Sequence, residues 1–298
     1  MYDLVCIGNY TKDTIISPSG TRYVDGGAMN YSAHAARRLG LNVAVVTRLA
    51  REDQRVVDKF SQAGIDCFAT YTPSSTTMRL EYPTLDPDFR YLSVASTAGS
   101  ITADDVDGLE TRAALIGTSF RGEAGFDVIS RLNEKQVFLG ADMQGFVRVL
   151  RGQSLNYEPW DEMEKTLPYL DVLKSDAVEA EHLTGESDIH KAAKVFADLG
   201  AKEVVLTHRD GLLLYTGGEY DSAGFYPQNL EGRSGRGDTC IGAYMAMRIS
   251  HEPHEAMKWA AAVTSLKMER LGQFDRSMSE VEQLLITKYN DDHRQPST

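Results

Sequence analysis

The segment Gly232-Arg233-Ser234-Gly235-Arg236-Gly237-Asp238 sets three glycines and an acid directly ahead of an apolar run, Thr239-Cys240-Ile241-Gly242-Ala243-Tyr244-Met245. Glycines let backbone amides approach a ligand closely, and a helix start adds unsatisfied N–H groups and a positive dipole end. Such a loop suits an oxygen that gains negative charge during phosphoryl transfer. Asp238, in the first turn, is placed to accept the proton of an attacking hydroxyl. The same pattern also serves as an ordinary helix N-terminus capped by an acid, so the rest of the chain must decide. Gly235-x-Gly237-x-x-Cys240 lacks the third glycine of a dinucleotide fingerprint, and no Walker A sequence occurs.

These residues need elements to hold them. Short apolar runs at Asp3–Gly8, Val43–Thr47, Val137–Ala141, Val172–Lys174 and Val204–Thr207 predict buried strands. Helical patterns at Met29–Leu39, Arg55–Ala63, Glu179–Leu183 and His190–Leu199 fall between them. The alternation predicts an α/β chain of three layers, a mostly parallel sheet covered on both faces. Ligands then gather at the carboxyl ends of the strands. Two stretches, about 14–25 and 68–95, break the plan with Thr, Tyr, Ser and Arg and with alternation over Thr76–Tyr82. They predict antiparallel insertions, with Asp86-Pro87-Asp88 as a turn. The expectation is one domain over 1–298 with a small discontinuous β lid above a cleft; a structural edge or dimer face is the plainer alternative.

The glycine loop resembles the C-terminal signature of the ribokinase-like (PfkB) carbohydrate kinases, approximately D-T-x-G-A-G-D. The resemblance implies that Gly235, Arg236 and Gly237 form an anion hole and that Asp238 is the catalytic base. Gly232-Arg233 replaces the leading Asp-Thr, and Arg236 replaces the middle Ala, which adds a cation beside the transferred group. Other landmarks of the family follow in order along nearly the whole chain. Asp13 resembles the substrate-binding acid after the first strand, and a carboxylate there accepts hydrogen bonds from two hydroxyls. Gly26-Gly27-Ala28-Met29-Asn30-Tyr31 resembles the G-G-x-x-x-N segment, with Tyr31 at the Asn position and Asn30 one place early. Asp142, Gln144 and Arg148 stand where relatives end a strand in D-x-N-x-R, in a form similar to the inositol-kinase-like branch. Lys174-Ser175-Asp176-Ala177-Val178-Glu179 resembles the K-x-N-x-x-E stretch; the likeness implies that Asp176 and Glu179 hold magnesium through water, although the same spacing makes a capping box. Thr207, His208, Gly211, Lys174, Arg233 and Ser265 complete the ATP contacts that the resemblance implies. Arg79, Arg90 and Arg148 keep a sugar acid or sugar phosphate open as acceptor.

Bulk properties agree. The chain has 298 residues, 42% apolar and 25% charged, as expected for a packed core. A net charge of −12 argues against a nucleic-acid binder. No run is long and apolar enough for a membrane helix. The N-terminus reads as a core strand, and Cys6, Cys67 and Cys240 match neither a metal nor a disulfide pattern. The expectation is a cytoplasmic monomer or homodimer that uses ATP and Mg2+ to phosphorylate a small sugar or polyol, myo-inositol first. The rival is a catalytically silent sugar binder on the same scaffold.

Overall fold

The computed structural model describes residues 1–84, 91–232 and 234–290. The Asp86-Pro87-Asp88 turn, Arg90, Arg233 and residues 291–298 therefore lie outside the described residues. Among the described residues fifteen strands occur in chain order: β1 (Tyr2–Ile7), β2 (Thr11–Ser17), β3 (Gly20–Gly26), β4 (Val43–Ala50), β5 (Asp66–Thr72), β6 (Thr76–Glu81), β7 (Tyr91–Ser96), β8 (Thr111–Ile116), β9 (Phe138–Asp142), β10 (Arg148–Arg151), β11 (Ser154–Tyr157), β12 (Val172–Asp176), β13 (Glu203–Thr207), β14 (Gly211–Thr216) and β15 (Glu219–Gly224). Nine build a large sheet in the order β15-β14-β13-β12-β9-β8-β1-β4-β5. Its pairs are parallel from β5 to β13, and the β13-β14-β15 end is antiparallel.

Alternation along the strands divides the core into two layers, because successive side chains leave a strand on opposite faces. Leu4, Cys6, Val43, Val45, Leu115 and Val205 pack on one face with the helices Ala28–Arg38, Arg236–Arg248 and Pro253–Met268. Val5, Ile7, Val46, Ile116, Leu173 and Val204 pack on the other with the helices Phe126–Glu134, Ala177–Thr184 and Ile189–Asp198. The three-layer α/β architecture is thus the one expected from the alternation of apolar runs.

A second sheet of six strands runs β10-β11-β7-β6-β2-β3. Three hairpins supply it: β2-β3, β6-β7 and β10-β11. Parallel pairing of β2 with β6 joins the first two, and Ser154 opposite Ser93 joins the third. The stretch 68–95 is divided between sheets. Residues 68–72 belong to β5 on the edge of the large sheet, and only β6 and β7 enter the small one. The Arg148–Tyr157 hairpin adds a part that lies outside both predicted insertions.

Candidate active site

Four parallel strands end at the same edge and deliver most of the site. After β1 the chain turns through Gly8-Asn9-Tyr10 into β2, which carries Asp13. Strand β9 ends at Asp142, β12 at Asp176 and β13 at Thr207. Between this edge and the small sheet lies a cleft of about 620 Å³. Asp13, Gly27, Tyr31, Gln144, Arg148, Lys174, Asp176, Glu179, Thr207 and Ser234 through Asp238 all line it.

The glycine loop closes one wall. Gly235 has φ +74°, and a Cβ there would sit 2.3 Å from the Tyr31 ring, so no larger residue fits without displacing the ring. A Cβ on Gly237 would fall 2.7 Å from Lys174 Nζ. The helix Arg236–Arg248 begins at this loop and presses against the helix Ala28–Arg38, where Gly242 meets the Ser32 backbone. Ser32 Oγ donates to the Asp238 carbonyl at 2.8 Å. The packing therefore fixes Tyr31 and Asp238 relative to each other. Gln144 Nε2 donates to Asp238 Oδ1 at 3.1 Å and orients its carboxylate.

Charges below the loop are paired. Lys174 Nζ lies 3.0 and 3.2 Å from the two oxygens of Asp142, and both residues are buried. Burial opposes the Lys174 charge, but Asp142 and the acids around it outweigh that cost and raise its pKa. Arg148 donates to Glu179 Oε1 at 2.9 Å in a second buried pair. Burial pushes the Glu179 carboxyl up, Asp176 adds to that, and Arg148 opposes it. Asp176 caps the helix Ala177–Thr184, accepting from the Glu179 amide at 2.8 Å while Glu179 Oε2 accepts from the Asp176 amide at 3.2 Å. Both oxygens of Glu179 are thus engaged within the chain. Among the described residues no three His, Cys, Asp or Glu side chains converge as a metal cage. Asp176, with one oxygen left over from the cap, fits a magnesium held through its water shell.

Three polar atoms of the cleft-lining residues are buried and have no hydrogen-bond partner: Thr11 Oγ1, Asp13 Oδ1 and Arg148 Nε. Such atoms are costly to bury unless something bonds them. Burial pushes the Asp13 carboxyl up to about 6, and the charge of Asp238 across the cleft adds to the effect. Gly26 leaves room for that carboxylate, since a Cβ would meet Asp13 Oδ2 at 2.0 Å.

Five expected site residues lie outside the lining. Asn30 is buried, its amide donating to the Asp25 carbonyl at 3.1 Å. Asp142 is covered by Lys174. Gly211 faces β15, where a Cβ would lie 2.4 Å from the Ala223 carbonyl. His208 is half-buried, its Nδ1 accepting from the Asp210 amide at 3.3 Å. Ser265 is fully buried; its hydroxyl donates to the Ala261 carbonyl at 2.7 Å, accepts from the Tyr226 amide at 2.9 Å and lies 3.2 Å from the Tyr289 hydroxyl. The cleft also takes in residues that sequence reasoning did not assign to it. Arg22, on β3, is an open cation at its rim, and Ile15, Met78, Leu80 and Leu92 form an apolar ceiling. Alternation on β2 and β6 carried a signal for that ceiling, whereas nothing around Arg22 distinguished it from a surface arginine.

The pfkB family carbohydrate kinase model matches residues 1–277. A solved pyrophosphate-dependent kinase of the ribokinase family, bound to a pyrophosphate analogue and myo-inositol, is 33% identical with a TM-score of 0.87, covering 94% of this chain and 99% of its own. Ribokinase of Arabidopsis thaliana, complexed with ribose and ATP, shares the fold at 16% identity and a TM-score of 0.76, over 95% of this chain and 98% of its own. A cytidine kinase of Thermococcus kodakarensis is 26% identical over 255 residues, 83% of this chain and 88% of that one.

Proposed function

The chain belongs to the pfkB family of carbohydrate kinases, and from that premise we propose that it phosphorylates a hydroxyl of a cyclic polyol of the myo-inositol type, with pyrophosphate as donor. The observation that carries the donor is where the cleft stops. It includes the phosphate-facing residues Lys174, Thr207 and Ser234 through Asp238, but not His208, Gly211 or Ser265. Tyr226 and Tyr289 stand edge to face at 5.4 Å over Ser265, and Tyr289 also donates to the Gly224 carbonyl at 2.7 Å. A nucleoside would need that space, whereas a diphosphate needs only the phosphate wall. ATP, the donor expected from the sequence, is the competing donor.

For the acceptor, Asp13 Oδ1 and Arg148 Nε offer unfilled bonding capacity, and the apolar ceiling suits the C–H face of a ring. The structure bound to myo-inositol supports the same class. Asp238 takes the proton from the attacking hydroxyl, held in place by Gln144. The amides of Gly235 through Asp238 and the Arg236 side chain receive the phosphoryl oxygens. Positioning and electrostatics supply most of the rate in this chemistry. Asp176 is the residue that would hold a magnesium's water shell, and the ion would screen the donor's charge.

The test is turnover of myo-inositol, ketoses, sugar acids and nucleosides with pyrophosphate or ATP, read as phosphate or ADP release. The proposal expects a kcat/KM with pyrophosphate well above that with ATP. ATP as the better donor refutes the donor assignment, and a ketose or nucleoside as the best acceptor refutes the acceptor.

A further inference from the structure

Lys267 is the one buried lysine of the helix Pro253–Met268, 2% exposed near its C-terminal end. Its Nζ donates to two backbone carbonyls, Gly232 at 2.9 Å and Arg270 at 3.2 Å. It forms no ion pair with a carboxylate among the described residues, and it lies 5.8 Å from the centre of the Tyr31 ring. Burying an ammonium with only neutral partners is expensive. Burial pushes its pKa down to about 8, while the charge of Asp238 favours the protonated form. A methionine would fill the same space at lower cost, so the charge itself needs a role.

The place of the two carbonyls supplies one. Gly232 opens the phosphate-facing loop, and its amide donates to the Met268 carbonyl at 2.8 Å. A Cβ on Gly232 would sit 1.6 Å from the Arg270 carbonyl, so this glycine is pressed against the helix end. The ammonium bridges the start of the loop to the turn after the helix. Tyr31, beside it, supports Gly235 from below. Carbonyl oxygens around a single positive charge are also the coordination chemistry of potassium and ammonium ions.

We propose that Lys267 is a positioning residue whose ammonium is a tethered counter-ion for the phosphate-facing loop, filling a carbonyl-lined niche that without it would take a free monovalent cation. This rests on the phosphoryl-transfer reading of the loop, with either donor. The wild-type enzyme then works equally well in potassium and in choline chloride. Lys267→Ala opens the niche and removes the charge.

The experiment compares wild type, Lys267→Ala and Lys267→Met at constant ionic strength in potassium, ammonium or choline chloride. Thermal midpoint is measured without substrates, and kcat and acceptor KM with them. In choline, Lys267→Ala loses about tenfold or more in kcat, in the range for a lost electrostatic contact, with acceptor KM changed less than about twofold. Potassium or ammonium raises its midpoint, because a cation that binds only the native state stabilises it, and restores much of its kcat. Lys267→Met, whose side chain fills the niche, is not rescued. The proposal is overturned if potassium stimulates the wild type, if Lys267→Ala keeps wild-type kcat in choline, or if no cation raises either its midpoint or its kcat. The midpoint arm needs no turnover, so an inactive wild type would sink the kinase reading and leave the niche tested.

Discussion

Asp13→Asn should make the protein more stable and a worse enzyme at the same time. Asp13 is held where its charge is costly: burial and the Asp238 charge push its carboxyl from 3.8 to about 6. That rise of about two pH units corresponds to at most about 3 kcal/mol, at 1.36 kcal/mol per unit. The sign follows from linkage. Between about pH 4 and 6 the folded protein binds more protons than the unfolded chain, so stability falls as pH rises through that window. Above about 6 the full penalty applies. Asparagine removes it, and for a chain of this size a gain of about 2 kcal/mol raises the thermal midpoint by roughly 5 °C at pH 7.5. At pH 4 the two proteins should melt together. Acceptor binding moves the other way. Hydrogen bonds to a charged group contribute about 1.5–3 kcal/mol, so KM for the polyol should rise roughly 10- to 100-fold. Thermal melts of both proteins from pH 4 to 8, with acceptor KM at pH 7.5, test this. A midpoint difference that does not vary with pH, or an unchanged KM, would refute the reasoning.

Asp238→Asn should lower kcat about 10²- to 10⁴-fold, with polyol affinity by calorimetry nearly unchanged; an equal loss of affinity would make Asp238 a binding group instead. Gly235→Ala should cost about 1–3 kcal/mol in backbone strain and at least tenfold in kcat through the Tyr31 ring, whereas Gly217→Ala, also at positive φ but with nothing near its Cβ, should cost strain alone. Burial pushes the Glu123 carboxyl up to about 7, against hydrogen bonds from the Ser119 amide at 2.6 Å and Asn9 at 3.0 Å. Stability should therefore decline as pH rises from about 4.5 to 7, and Glu123→Gln should flatten that decline in a series of denaturant titrations.

Much of this was readable without coordinates because the large sheet writes its own pattern. Val43–Thr47 and Val204–Thr207 are buried on both faces and read as continuous apolar runs, which few other elements imitate. Residues 68–72 misled because β5 is an edge strand with one open face, and its Thr and Tyr content is that of a strand in a half-solvated sheet. The β10-β11 hairpin has short, polar strands whose register comes from its partners. At the site, the glycine loop and the acids at strand ends were visible as residue types. What sequence could not give is which of two close acids faces the cleft. Asp142 and Asp176 each end a strand, and only the reach of Lys174 turns the first into a counter-charge and leaves the second exposed to ligand. Lys267 carried no signal, since a lysine in Thr264-Ser265-Leu266-Lys267-Met268 looks like any helix surface residue.

The three hairpins over the cleft have a consequence for how the molecule folds. Their shared core is small: Met78, Val94 and Phe120, with Leu80, Leu150 and Leu155 against them. So few apolar contacts cannot hold six strands on their own. The hairpins are far apart in sequence, Thr11 pairing with Thr76 and Ser93 with Ser154, and closing such loops costs entropy that only the finished large sheet offsets. The small sheet should therefore assemble last and be released first. A thermally stressed chain should then pass through a state with its nine-stranded layer intact and its cleft undone, and a ligand bound in the cleft should act as a clamp that delays this.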